Sequence, residues 1–69
     1  MNIKKDIGLL IKQRRKALLM EQVDLCEYAG VGSTTLSKLE QGKANITLES
    51  LEKIIEVLGM EFSLRVKEL

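Results

Sequence analysis

Between residues 4 and 18 the apolar positions Ile7, Leu10, Ile11 and Leu18 recur at helical spacing, with Lys and Arg filling the opposite face. This predicts a first helix. A second should start at Glu21 or Gln22, bury Leu25, Cys26 and Ala29, and stop at Gly30, which can take the left-handed conformation of a tight exit. After the turn Gly30-Val31-Gly32, either Gly32 or Ser33 caps a third helix over about 33–41. Its Leu36 and Leu39 face inward, Ser33, Thr34, Ser37, Lys38 and Gln41 face out, and Gly42 ends it. Beyond the loop Lys43-Ala44-Asn45-Ile46, Thr47 is a good N-cap with Glu49 in the first turn. Leu48, Leu51, Ile54, Ile55 and Leu58 then stripe one face of a fourth helix that closes at Gly59.

From Met60 the period changes to two. Met60, Phe62, Leu64 and Val66 alternate with Glu61, Ser63, Arg65 and Lys67, the pattern of a half-buried strand. Nothing else in the chain reads as a strand, and a lone strand leaves its backbone donors and acceptors unpaired. The economical partner is the same segment of a second subunit, paired antiparallel across a two-fold axis with Phe62, Leu64 and Val66 buried jointly. A fifth short helix or a frayed tail is the alternative.

Length and composition narrow the class. Sixty-nine residues make one domain at most, and a chain this short buries only about 60% of its unfolded surface, so a partner subunit would help. With 45% hydrophobic residues, 30% charged, two aromatics and no Pro, the composition suits a helical globule. There is no His and a single Cys, which argues against metal sites, cofactor chemistry and most acid-base constellations. An enzyme acting on a small-molecule substrate is not expected. The lone Cys26 reads as core, and the lack of a long apolar run or signal-peptide core points to the cytoplasm and away from a membrane. Net charge is only +1, but it is unevenly spread. Residues 1–20 carry Lys4, Lys5, Lys12, Arg14, Arg15 and Lys16 against Asp6, whereas residues 21–69 hold nine acids against five bases. The basic end is either a solvated helix face or a surface turned to phosphates.

Residues 22–41 have the layout of a helix-turn-helix: a small residue, Cys26, where the two helices cross, Gly30 in the turn, and Val31, Leu36 and Leu39 for a shared core. Over about residues 7–59 the sequence resembles the phage-repressor-like (Xre/Cro) helix-turn-helix family. The likeness lies in Arg14-Arg15-Lys16-Ala17-Leu18, Gln22, Leu25, Ala29-Gly30-Val31, the run from Thr35 to Lys43, and Leu48 through Leu51 to Leu58-Gly59. With the alternating tail, the chain is similar in look to HipB-like antitoxins, small repressors encoded beside a kinase toxin. The resemblance implies an all-α, compact four- or five-helix lambda-repressor-like DNA-binding domain over 1–59, with a short C-terminal β-strand in 60–69 that pairs across a dimer.

In that family the third helix enters the major groove, and its outward positions match Ser33, Thr34, Ser37 and Lys38, with Thr35 beside them. Short hydroxyls allow close approach to base edges, and Lys38 can reach guanine acceptors or a phosphate. Ordinary capping and turn chemistry is the other reading of Ser33, Thr34 and Thr35. Gln22 falls in the first turn of the second helix, where backbone N–H groups and the helix dipole can receive a phosphate, and the family's matching Gln contacts the DNA backbone. Lys43 and Asn45 stand where a second phosphate clamp would sit, or in a solvated loop. Arg15 and Glu40 match a family ion pair tying the first helix to the end of the third, while Arg14 is expected to be exposed. Three positions depart from the pattern: Leu19 replaces a common Gly, Glu21 a capping Thr or Ser, and Ile46 a common Pro. Glu21 also brings a carboxylate near the phosphate site.

The implied function is a transcriptional repressor that binds double-stranded operator DNA as a homodimer on an inverted repeat, and acts as antitoxin to a HipA-like kinase toxin. With so few residues beyond the strand, the toxin would meet a folded surface. The alternatives are a stand-alone phage-type repressor or restriction-modification controller, and a protein-interaction module that kept the fold without DNA binding.

Overall fold

The computed structural model describes residues 2–68; Met1 and Leu69, the outer limits of the two expected segments, lie outside them. Four helices follow one another: α1 (Ile3–Ala17), α2 (Gln22–Ala29), α3 (Ser33–Glu40) and α4 (Leu48–Val57). Helices of eight residues do not hold themselves together in water, so α2 and α3 depend on packing. That packing comes from Ile11 of α1, Leu25, Cys26 and Ala29 of α2, Leu36 and Leu39 of α3, and Leu51 and Ile54 of α4, with Leu58 just beyond, all buried in one core.

The ends are fixed locally. Asn2 Oδ1 accepts the Lys5 N–H at 3.1 Å to cap α1, and Thr47 Oγ1 accepts the Ser50 N–H at 3.1 Å to cap α4. Gly32, not Ser33, is the N-cap of α3. At the far end of α3 the chain reverses through Gly42 at φ +76°, a region that favours Gly, and the Lys43 N–H returns to the Lys38 carbonyl at 2.9 Å. The same turn settles how α1 and α3 meet. Gly8 is buried on the last turn of α3, where an added Cβ would collide with the Leu39 carbonyl oxygen and lie 3.2 Å from the Glu40 carbonyl carbon. A glycine inside a helix costs about 1 kcal/mol of helix propensity against Ala. Here it permits backbone contact between two helices.

Several expected core positions are not core. Leu10 and Leu48 are exposed and line a groove between α1 and α4, and Leu18, at the C-cap of α1, is 40% exposed. The α1 stripe that enters the core is narrower than its apolar spacing predicts, because α3 covers only the side carrying Gly8, Ile11 and Arg15. The tail differs too. Residues 60–68 form neither the expected strand nor a fifth helix, and Phe62, Leu64 and Val66 are 50%, 86% and 95% exposed. A strand is defined by its ladder, and among the described residues the single chain offers no second strand. Phe62 instead rests in the groove, beside Ile7 and Leu10 on one side and Leu48, Leu51 and Ile55 on the other.

Candidate nucleic-acid interface

The outward side of α3 and its neighbours form an open depression. Ser33, Thr34, Ser37 and Lys38 contribute from α3, Gln22 from the start of α2, and Gln41 and Lys43 from the turn after α3. All are exposed except Gln22 and Ser37, which are half-buried. Two positive charges and no carboxylate line it. The hydroxyls arise by periodicity: with Leu36 and Leu39 committed to the core, 33, 34, 37 and 38 fall on the opposite face of the same two turns. Two expected site residues lie elsewhere. Thr35 is exposed but outside the depression, and Asn45 lines the α1–α4 groove with Ile3, Leu48 and Phe62. Gln41 lies in the depression, donating from Nε2 to Ser37 Oγ at 3.1 Å. Its outward position was legible in the helical period, although no chemistry marked it.

Beneath the depression is a buried polar cluster. The Arg15 guanidinium donates from Nε to Glu40 Oε2 at 2.7 Å and from Nη2 to Glu40 Oε1 at 2.9 Å, and from Nη1 to the Met20 carbonyl at 2.7 Å. Arg15 is 6% exposed. This paired fork joins α1, the α1–α2 turn and the end of α3, the link expected of these two residues. Burial alone would raise the Glu40 carboxyl. Hydrogen bonds from Arg15 and Gln22, with the charges of Arg15 and Lys12, outweigh it and hold the carboxyl below its ordinary value. The hydrogen bond to Glu40 likewise raises the Arg15 pKa. Glu40 thus stays ionised but screened behind its partners.

Gln22 differs from its expected state. Its Nε2 donates to Glu40 Oε1 at 3.1 Å, so one amide hydrogen is directed inward and one remains for a ligand. At the cap of α2 the Glu21 N–H is taken by the Asp24 carboxylate at 2.9 Å. The acid three residues after Glu21 has capping-box spacing, a signal for the second bond, and no sequence pattern signalled the first. Arg14 is exposed as expected, and its Nε donates to the Leu58 carbonyl at 2.8 Å, closing the end of α4. Cys26 lies in the core, where burial first and the Glu40 charge second push the thiol up and keep it protonated.

Two short helices joined by a tight turn, the second presenting a hydroxyl-rich and cationic face, form a helix-turn-helix, and a helix-turn-helix family model matches residues 11–64. The chain belongs to the helix-turn-helix family. Its type is the Xre/Cro one anticipated from sequence, and its role is DNA-binding regulation of transcription. No curated protein matches the chain. In this helix-turn-helix protein α2 is the supporting helix and α3 the presenting one, with the Arg15–Glu40 pair holding α3 against α1. No helix among the described residues is long and apolar enough to cross a membrane.

Proposed function

We propose that the chain is a sequence-specific repressor that binds an inverted-repeat operator as a dimer, with α3 in the major groove of each half-site. The observation that carries this is the depression itself: Ser33, Thr34, Ser37 and Lys38 converge with Gln22 and Lys43 on a face that no carboxylate lines. Ser37 and Lys38 contact base edges, Ser33 and Thr34 contact bases or the adjacent backbone, and Gln22 and Lys43 hold phosphates. Thr35 and Asn45, which lie outside the depression, contribute at its margin. Two copies present their α3 helices about one helical turn, ~34 Å, apart. Occupancy of the operator then excludes polymerase, in the cytoplasm where the DNA lies.

The dimer forms through the tail. Its support is the exposure of Phe62, Leu64 and Val66 next to an apolar groove that also exposes Ile3, Leu10 and Leu48. The finer assignment, antitoxin to a HipA-like kinase toxin, rests on the likeness of the tailed domain to HipB-like antitoxins. A kinase-like reading frame beside the gene would support it, and a methyltransferase or integrase there would favour a stand-alone controller.

The decisive experiment selects bound sequences from random duplexes and titrates the complex with salt. A repressor returns an inverted repeat and an affinity falling steeply with salt. Lys38→Ala and Ser37→Ala weaken the selected site far more than a random one. Recovery of no preferred sequence, or equal losses on both duplexes, would sink readout by α3.

A further inference from the structure

Positions 5, 8, 12 and 15 of α1 are separated by three, four and three residues and therefore share one stripe of the helix. Two members of that stripe have fixed neighbours at the C-terminal end of α3. Gly8 lies on the carbonyls of Leu39 and Glu40, and Arg15 grips the Glu40 carboxylate. Lys5 and Lys12, one turn before and one turn after Gly8, must flank the same end. The turn after α3 confirms the first: a Cβ on Gly42 would come within 2.8 Å of Lys5 Cα and Cγ, so the Lys5 stem lies under the turn that carries Lys43. The second reaches the opposite edge, since the Lys12 charge is among those acting on Glu40, which in turn holds Gln22.

We infer that Lys5 and Lys12 are two further phosphate contacts, extending the DNA face from α3 onto α1. Both are exposed, and among the described residues neither makes a salt bridge. With Lys38 and Lys43 they form a band of four positive charges around the end of the presenting helix. An elongated cationic band beside a groove-entering helix is complementary to a sugar-phosphate backbone. Seven helical steps separate Lys5 from Lys12 by about 10 Å, so their two ammonium groups can meet different phosphates of one strand. A purely structural role is the rival, because cations at a helix C-terminus also offset its dipole. That role affects stability; phosphate contacts affect the salt dependence of binding.

This inference rests on the DNA-binding reading above, and the test separates the two. Lys5→Gln and Lys12→Gln remove the charge and keep the first two methylenes of each stem, including the Lys5 Cγ that lies under the turn. Binding of each full-length variant to a fluorescent mixed-sequence duplex is followed by anisotropy over a salt series, with thermal unfolding measured in parallel. The slope of log affinity against log salt becomes shallower by about one for each variant and about two for the double variant. Lys5→Arg and Lys12→Arg restore the slope, and Lys53→Gln, on the exposed side of α4, leaves it unchanged. Parental slopes in both Gln variants, with or without a lower Tm, overturn the inference while leaving the repressor reading intact. Failure of the parent chain to bind any duplex overturns both.

Discussion

Arg15 on α1 and Glu40 at the end of α3 form a two-pronged ion pair, at 2.7 and 2.9 Å, with both side chains nearly inaccessible to water. The pair fixes how the presenting helix is seated. Removing one partner strands the other charge, a loss of about 3 kcal/mol or more for a buried pair. Arg15→Ala is therefore expected to lose most of the stability of so small a domain in urea denaturation. A loss under about 1 kcal/mol, the range of exposed pairs, would show that water already screens this contact.

The same pair carries a pH dependence whose sign is set by Glu40. Burial raises its carboxyl, but the bonds from Arg15 and Gln22 and the charges of Arg15 and Lys12 win, so the folded-state pKa lies below the ordinary 4.5. A depressed carboxyl adds stability that is present above the unfolded-state value and drains away as pH falls through the folded one. Glu40→Gln lacks that contribution. The stability gap between parent and Glu40→Gln should shrink as pH drops below 4.5, followed by urea melts at stepped pH. A gap that stays constant would place the coupling elsewhere.

Gly8 is expected to be intolerant of substitution. Its missing Cβ leaves room for the backbone carbonyls of Leu39 and Glu40, which cannot yield as a flexible side chain would. Gly8→Ala should cost about 2 kcal/mol or more, within or above the usual range for overpacking, despite the better helix propensity of Ala. Gly32 is the contrast, since a Cβ there meets only Thr35 Oγ1, at 4.0 Å. Gly32→Ser should change Tm little, because Ser is also a favoured N-cap.

Leu19 connects α1 to α2 at φ +58°, the only non-glycine with positive φ among the described residues, and is 93% exposed. A leucine held there costs about 1–2 kcal/mol in steric strain and gains nothing from burial. Leu19→Gly should stabilise the fold by about 1 kcal/mol, offset in part by the greater freedom of Gly in the unfolded chain. For a domain of this size that raises Tm by roughly 4–8 °C in a calorimetric scan. An unchanged or lower Tm would show that the strain at Leu19 does not exceed the unfolded-state entropy that Gly adds.

Much of this fold was legible because its helices are short and punctuated. Gly30, Gly42 and Gly59, predicted as stops, all sit at positive φ, and the Leu36–Leu39 spacing alone separated the inward face of α3 from the outward one. The Arg15–Glu40 link came through family resemblance, since the partners stand 25 positions apart in the sequence. What stayed hidden depends on tertiary approach. Gly8 looks like a weak point in a helix until α3 is laid against it, and Gln22 shows a free amide until Glu40 takes one of its hydrogens. Leu10 and Leu48 read as core because helical spacing reports an apolar face without saying what covers it.

A second copy of the chain is expected to cover that face. Phe62 is half-exposed in the groove of its own chain, whereas Leu64, 86% exposed, has almost no contact of its own to lose. A dimer built on paired tails buries both. Phe62→Asp and Leu64→Asp should each shift sedimentation from dimer to monomer while circular dichroism stays helical. Affinity for the selected inverted repeat should fall by more than about tenfold, since each half-site then binds without the other. The Leu64→Asp result carries the weight, because Phe62→Asp also removes packing against Leu51 and Ile55. A Leu64→Asp chain that sediments as a dimer would place the interface on the helices, and the alternation of 60–66 would then need another explanation.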